Sequence, residues 1–169
     1  GKLQRIFKSA EKGTGSVIAF LDDYANVIDA FIGLYEVTFD LQWLNKARKL
    51  TDIAIAGFYD AEQGLFYYTD NTGEALIARK AEIMDGVIPA SNSVMARNLK
   101  KLHLLFADER YGSISAQLLQ NVAHLVAKYG SSYSNWAILM LEEVFGMYEI
   151  AITGPDTEPF RRQIAQHYI

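Results

Sequence analysis

Hydrophobic and polar positions follow two different helical patterns along this chain. From Asp22 to Val37 almost every position is apolar, and a helix with so narrow a polar side is expected to be buried all round. After Asp40, a good N-cap residue, apolar and charged positions lie on opposite sides of a helix that is predicted to run to about Phe58. The two segments predict a helical hairpin, with a buried inner helix followed by an amphipathic outer one.

The same order recurs further along the chain. Residues 92–106 are predicted as a largely buried helix, and residues 109–128 as an amphipathic one with Leu118 and Val122 facing inward. A third apolar segment, residues 133–145, predicts another inner helix. Alternating buried and amphipathic helices predict an all-α fold of the α/α-toroid type, in which a ring of outer helices surrounds a ring of inner ones.

A polar segment at residues 82–93 leads into the third of these helices. Asp85 and Gly86 mark a turn, and Pro89 disfavours the helical conformation for the residue before it. Ser and Asn at positions 91–93 are all good N-caps, so we expect the helix to begin there.

Three other segments are predicted to depart from the helical pattern. Residues 1–12 are interpreted as the end of a helix or an exposed lead-in, and residues 64–79 as a small β-hairpin with strands at 64–69 and 75–78. An apolar run of strand length at 148–153, followed by a short helix that starts near Asp156, forms a terminal strand–helix unit.

The expected organisation has two parts. Residues 1–146 form the helical hairpins of the toroid, with the β-hairpin as an insertion, and residues 147–169 form the terminal unit. A chain of 169 residues, 50% of them hydrophobic, has enough apolar material for one core.

Charge and composition exclude several classes of function. The net charge of −4 gives no electrostatic reason to bind nucleic acid or an anionic membrane. The absence of cysteine excludes disulfides, thiol redox chemistry and thiolate metal sites within this chain. Neither a signal peptide nor a membrane-spanning segment is recognised, so a cytoplasmic location is expected.

Acidic and aromatic residues gather at the predicted starts of the inner helices, which should meet at one end of a toroid. Glycoside hydrolysis needs one acid that protonates the glycosidic oxygen and a second carboxylate that activates water or attacks the sugar. Asp23 and Asp85 are therefore the candidate catalytic residues. The candidate substrate-binding residues at the same end are Asp22, Tyr24, Asn92, Ser93, Asn135 and Trp136.

A structural interpretation of the same residues competes with this one. Asp22 and Asp23 also suit a helix N-terminus as capping groups, and Asp85 suits a turn. Trp136 fits a core position better than a stacking platform. The histidines, His103, His124 and His167, are scattered, which does not support the histidine acid–base pair of an epimerase, and no metal-ligand spacing occurs. No cofactor is expected.

Three motifs, at residues 20–25, 64–69 and 85–93, resemble in their order the C-terminal half of the YyaL-type family, the bacterial relatives of the spermatogenesis-associated thioredoxin-domain protein. The resemblance implies a thioredoxin-like domain followed by an (α/α)6 toroid similar to N-acylglucosamine 2-epimerases and glycosidases. This chain would then be a fragment with the last hairpins. It departs from the family pattern at Ala90-Ser91, where Ser-Gly is more usual, and at Val87, where a small residue is common.

Two functions are therefore weighed. The first is a carbohydrate-site-like toroid domain that takes a saccharide ligand, with glycosidase-like or sugar-binding activity. The second is a non-catalytic scaffold or interaction domain in which the acids are helix caps. A partial toroid would also leave apolar helices without neighbours, so self-association through the open edge is expected.

Overall fold

The computed structural model of the protein describes residues 2–6, 17–71 and 79–166. This part of the chain is mostly helical. The helices are α1 (Leu21–Thr38), α2 (Leu41–Phe58), α3 (Ser91–Phe106), α4 (Glu109–Lys128), α5 (Ser134–Phe145) and α6 (Glu158–Ile164), and a 3-10 turn at Gly130–Ser132 precedes α5. The strands are β1 (Gln4–Ile6), β2 (Val17–Ile18), β3 (Tyr59–Asp60) and β4 (Leu65–Phe66), and they form two antiparallel pairs, β1–β2 and β3–β4.

Helices α1 and α2 form one antiparallel hairpin, and α3 and α4 form a second. In the first hairpin the Tyr24 and Phe58 rings lie 5.2 Å apart, and the Phe31 and Trp43 rings lie 5.5 Å apart. In the second, the hydroxyl of Ser115 donates a hydrogen bond of 2.8 Å to the backbone carbonyl of Ala96. Both hairpins were predicted from the alternation of buried and amphipathic segments.

Helix α3 lies between α1 and α5, and the three run parallel. The Asn98 amide donates to the carbonyl of Ala25 on α1 at 2.8 Å, while Arg97 donates to Asn135 on α5 at 3.0 Å. The Tyr111 hydroxyl donates to Asp52 at 2.7 Å and joins α4 to α2 on the outer side. The inner helices α1, α3 and α5 therefore form one layer, and α2 and α4 form the other.

The two outer helices have the bounds that the sequence predicts. Asp40 caps α2 by accepting the backbone N–H of Gln42, as expected, and Asp108 caps α4 by accepting that of Arg110. Helix α3 begins at Ser91, inside the predicted interval, but its N-cap is Ala90. The prediction that Ser or Asn at 91–93 would cap α3 is therefore wrong, because these residues already belong to its first turn.

The expectation that α1 is buried all round is also wrong. Tyr24, Ile28 and Ile32 are buried on the side that meets α2 and α3, whereas Asp29 and Val37 are exposed. The apolar pattern indicated how much of α1 could be buried, but among the described residues only α2 and α3 form extensive contacts with this helix. Helix α5, which was also predicted to be an inner, buried helix, is likewise exposed on one side.

A β-hairpin that the sequence did not predict, β3–β4, lies at the start of the predicted one. Tyr59 pairs with Phe66, and Asp60 pairs with Leu65. The turn closes here because the Asp60 carboxylate accepts the backbone N–H groups of Glu62 and Gln63, and Gly64 follows with φ of 61°. The second predicted strand, at 75–78, lies outside the described residues.

The chain near its two ends differs from the prediction as well. Gln4–Ile6 is an exposed strand, so the helix-end alternative is wrong for these residues, while residues 7–12 lie outside the described part. The predicted strand at 148–153 is wrong, because within the described residues no strand pairs with this exposed segment. The short terminal helix is confirmed, with Thr157 as its N-cap and a proline in its first turn.

Candidate functional site

The loop before α3 is organised around the carboxylate of Asp85. Its Oδ1 atom accepts hydrogen bonds from the backbone N–H of Ala90 at 2.9 Å and from the Ser93 hydroxyl at 2.8 Å. Its Oδ2 atom accepts the backbone N–H of Asn135, in the first turn of α5, at 2.9 Å. A single carboxylate therefore satisfies backbone donors at the starts of two helices and ties those starts together.

A chain of polar side chains continues from Asp85 along the α3–α5 contact. The Asn135 amide donates to the Ser93 hydroxyl oxygen at 2.9 Å and accepts from Arg97 at 3.0 Å. Arg97 in turn lies 3.4 Å from a carboxylate oxygen of Glu142. Because Ser93 and Asn135 are buried, these bonds form within the protein and fix the position of α5 on α3.

The side chain of Asn92 binds the β3–β4 hairpin to the start of α3 through hydrogen bonds. Its amide oxygen accepts the backbone N–H of Phe66 at 2.8 Å, and its amide nitrogen donates to the carbonyls of Phe66 and Glu82, each at 2.9 Å. Both N–H donors of this buried side chain, and one lone pair of its oxygen, therefore form hydrogen bonds within the protein.

Both aromatic candidates, Trp136 and Tyr24, belong to the core. Trp136 has no exposed surface, and its indole N–H donates to the carbonyl of Ile83 at 2.8 Å. Tyr24 is also fully buried, and its hydroxyl accepts the backbone N–H of Leu3 at 2.9 Å. In these positions neither ring presents a face to a sugar.

Asp22 and Asp23 lie in the first turn of α1 and stay partly exposed. Asp23 accepts the backbone N–H of Phe20 at 2.9 Å, the return bond of a capping box, while Asp22 accepts the N–H of Asp23 at 3.0 Å. The second oxygen of each carboxylate faces Arg5, at 3.4 Å for Asp22 and 3.9 Å for Asp23. They are caps, but their outer oxygens remain near solvent.

Arg5, Phe20, Asp22, Asp23 and Tyr68 form a group that we call the Arg5 cluster. The Arg5 guanidinium lies 3.4 Å from the Tyr68 hydroxyl and 5.2 Å from the centre of the Phe20 ring, which stacks on Tyr68 at 5.0 Å. Burial is the main cause that raises the pKa of Tyr68, and Arg5 acts in the opposite direction. The hydrogen bond with Tyr68, followed by the two carboxylates, raises the pKa of Arg5. Arginine, carboxylates and ring faces therefore meet at one partly exposed place.

The hydrogen bonds place Asp23 and Asp85 in two different groups. Asp85 belongs to the α3–α5 contact, and Asp23 belongs to the Arg5 cluster at the start of α1. The sequence did not point to Arg5 or Arg97 for either group, and it favoured hairpin packing over a place at the rim of a pocket for Tyr68. Charged and apolar residues alternate around Arg5, and this local pattern does not indicate that Arg5 will lie beside Asp22 and Asp23.

Neither metal binding nor membrane insertion has structural support in the residues that the structure describes. Among residues 2–6, 17–71 and 79–166, no three His, Asp or Glu side chains are grouped so that they could hold a metal ion. Over the same ranges, no helix is both long enough and apolar enough to cross a bilayer. His103 contacts the carbonyl of Asp108 at 3.0 Å, and His167 lies outside the described residues.

Comparison with known proteins shows similarity over part of the chain. No family model matches. The chain is 32% identical to human spermatogenesis-associated protein 20 in an alignment of 108 positions that covers 59% of this chain and 14% of that protein. It is 38% identical to the rat protein of the same name over 85 residues, 50% of this chain and 11% of that protein. An uncharacterized protein of Caenorhabditis elegans is 31% identical over 101 residues, 60% of this chain and 14% of that protein. The chain is thus similar to a segment of spermatogenesis-associated protein 20, and the matched segment spans no more than 14% of the length of these relatives.

Proposed function

We propose that this chain is a non-catalytic scaffold and interaction unit, an arc of an α/α toroid in a protein related to spermatogenesis-associated protein 20. The wider family that the sequence resembles would add a thioredoxin-like domain to this scaffold. The two-layer arrangement of parallel inner helices and antiparallel outer helices supports the toroid part of the proposal. Partial similarity to the mammalian proteins supports the family part.

The scaffold proposal rests on the hydrogen bonds that the Asp85 carboxylate accepts. An acid that donates a proton to a glycosidic oxygen needs a free carboxyl oxygen directed at the substrate. Both oxygens of Asp85 already accept hydrogen bonds from Ala90, Ser93 and Asn135. Three of the about four acceptor positions of this carboxylate are thus used by donors that hold two helix starts in place, and protonation of Asp85, which a general acid requires, would weaken these bonds.

A glycan-array screen of the chain tests this proposal, with Asp85→Asn as the variant. We expect no specific saccharide binding by the wild type and a lower unfolding midpoint for the variant, because Asp85 stabilises the loop. A saccharide that binds the wild type and is lost in Asp85→Asn, with an unchanged unfolding midpoint, would overturn the proposal.

The Arg5 cluster favours saccharide binding as a second candidate function. Asp22 and Asp23 are partly exposed, and carboxylates beside an arginine can hydrogen-bond neighbouring sugar hydroxyls. The stacked rings of Phe20 and Tyr68 lie next to them. Since Asp85 belongs to another group, this candidate is binding without hydrolysis.

If the second candidate function is right, the Asp22→Asn variant should bind the saccharide more weakly than the wild type. Removal of one charge-assisted hydrogen bond weakens binding by about tenfold or more. Isothermal titration calorimetry with the best array ligand measures the change. Asp29→Asn is the matched control, because Asp29 is an exposed acid further along α1. Equal affinity of the wild type and the Asp22 variant would exclude the cluster as the site.

A further inference from the structure

Residues 2–6, which include β1 and which we call the strap, lie against the start of α1 and add little to the core. Four of these five residues are exposed, whereas Leu3 is half-buried against the core. Strand β1 pairs with β2 through two residue pairs, and the register between them is irregular. A two-stranded pairing this short is marginally stable, so the contacts of the side chains decide whether the strap stays in place.

Both cations of the strap pair with acids on other parts of the chain. The Arg5 guanidinium lies 3.4 Å from Asp22 and 3.9 Å from Asp23, and the Lys2 ammonium lies 2.8 Å from Asp70. The side chains of Lys2 and Arg5 are 46% and 40% exposed. Ion pairs at such positions are weak one by one and are screened by salt. The strap is therefore held by contacts that a change in charge or ionic strength weakens.

Two backbone hydrogen bonds depend directly on the position of the strap. The N–H of Leu3 donates to the hydroxyl of the buried Tyr24 at 2.9 Å, and the carbonyl of Leu3 accepts the N–H of Ala19 at 3.3 Å. Two residues after Ala19, the N–H of Leu21 donates to the carbonyl of Tyr68 at 3.0 Å, a bond in which the strap takes no part. Opening of the strap by itself would free the first two N–H groups from these bonds and leave that of Leu21 protected.

We propose that the strap opens and closes as a unit over the start of α1, and that the charge of Arg5 keeps it closed. In the closed position Arg5 faces Asp22 and Asp23, and Leu3 occupies the hydroxyl of Tyr24. The closed strap thus competes with any ligand of these groups, and its opening regulates access to them. This inference goes beyond the scaffold function, because the strap can open whether or not a ligand binds.

Hydrogen exchange of single backbone amides, measured by NMR, tests the strap in the Arg5→Gln variant. We expect the N–H groups of Leu3 and Ala19 to exchange at least about threefold faster than in the wild type, because exchange follows the population of the open state. The N–H of Leu21 should keep its rate. Sodium chloride at about 1 M, where the Debye length is about 3 Å, should accelerate the same two amides of the wild type.

Arg48→Gln is the matched control. Arg48 also pairs with an aspartate, Asp108 at 3.9 Å, and also lies over an aromatic ring, that of Phe106 at 4.6 Å, but it does so on α2. Its replacement should leave the exchange of the strap unchanged. The proposal is overturned if the two strap amides are unprotected in the wild type, if salt and Arg5→Gln leave their rates unchanged, if Leu21 accelerates with them, or if Arg48→Gln has the same effect.

A covalent lock gives a second readout, because the chain contains no cysteine and an introduced pair can form only one disulfide. Gln4 and Ile18 are partners in the β1–β2 register, and paired Cα atoms of antiparallel strands lie within disulfide range. In oxidised Gln4→Cys/Ile18→Cys protein, Arg5→Gln should no longer accelerate the exchange of Leu3 and Ala19, and reduction should restore the acceleration.

Acceleration that persists in the oxidised protein would show that Arg5 acts without opening of the strap and would overturn the proposal. A cysteine pair that does not form its disulfide would contradict the closed position. Neither readout involves a saccharide or Asp85, so failure of the strap proposal leaves the scaffold proposal as it stands.

Discussion

An Asp85→Ala variant is expected to lose about 3 kcal/mol of unfolding free energy. The substitution leaves the backbone N–H groups of Ala90 and Asn135 without their acceptor, whereas the hydroxyl of Ser93 can still donate to the carbonyl of Ala90 at 2.9 Å. An unsatisfied buried donor costs about 1–3 kcal/mol, and the half-buried position of Asp85 lets water replace part of the loss. Urea unfolding followed by circular dichroism measures the change through the midpoint and the slope.

Two further variants define what this experiment shows. Asp85→Asn keeps one oxygen acceptor but turns an N–H donor toward other donors, so its loss should be smaller than that of the alanine variant. Asp29→Ala removes an exposed carboxylate from α1 and should change stability by no more than about 0.5 kcal/mol. If Asp85→Ala were as stable as Asp29→Ala, the carboxylate would not hold the helix starts, and its conformation would be available for binding or catalysis.

The extent to which the sequence determines the fold differs between the outer and the inner helices. Helices α2 and α4 were predicted with nearly correct bounds, because a capping aspartate and a 3.6-residue apolar period are local signals. Exposure of α1 and α5 was not predicted, since an apolar pattern records what a helix can bury. It contains no information about whether a neighbour is present to bury it.

The role of Asp85 shows the same limit for the candidate site. A turn at this position follows from the local sequence, but the third donor to Asp85 comes from Asn135, 50 residues further along the chain. Only the parallel packing of α3 and α5 brings that donor within reach. For the same reason the gathering of polar residues at helix starts was predictable, whereas their division between Asp85 and the Arg5 cluster was not.

The failed strand prediction at 148–153 has a related cause. Tyr148, Ile150 and Ile152 have the residue types and the alternation of a strand, which local propensity describes. A strand also needs a second strand to accept and donate its backbone hydrogen bonds. Within the described residues this segment has no such partner, and Tyr148 and Ile150 are exposed.

Replacing Trp136 with Ala is expected to cost about 4 kcal/mol, the largest effect of a single substitution proposed for this chain. Trp136 is fully buried, so its removal leaves a cavity where α5 packs on the core, and it also frees the carbonyl of Ile83. Trp136→Phe keeps most of the ring volume but loses the hydrogen bond, and should cost about 1–2 kcal/mol. The difference between the two variants separates packing from hydrogen bonding.

The same pair of variants also decides between a core role and a ligand-stacking role for Trp136. Denaturant midpoints that fall in the order wild type, Trp136→Phe and Trp136→Ala are the result expected of a core residue. A stacking platform would respond differently, because its removal weakens ligand binding while the unfolding midpoint stays within about 0.5 kcal/mol of the wild type. That outcome would require Trp136 to leave the core when ligand binds. The scaffold interpretation of the loop between Ile83 and Asp85 would then have to be abandoned, because the indole that holds this loop would be released at each binding event.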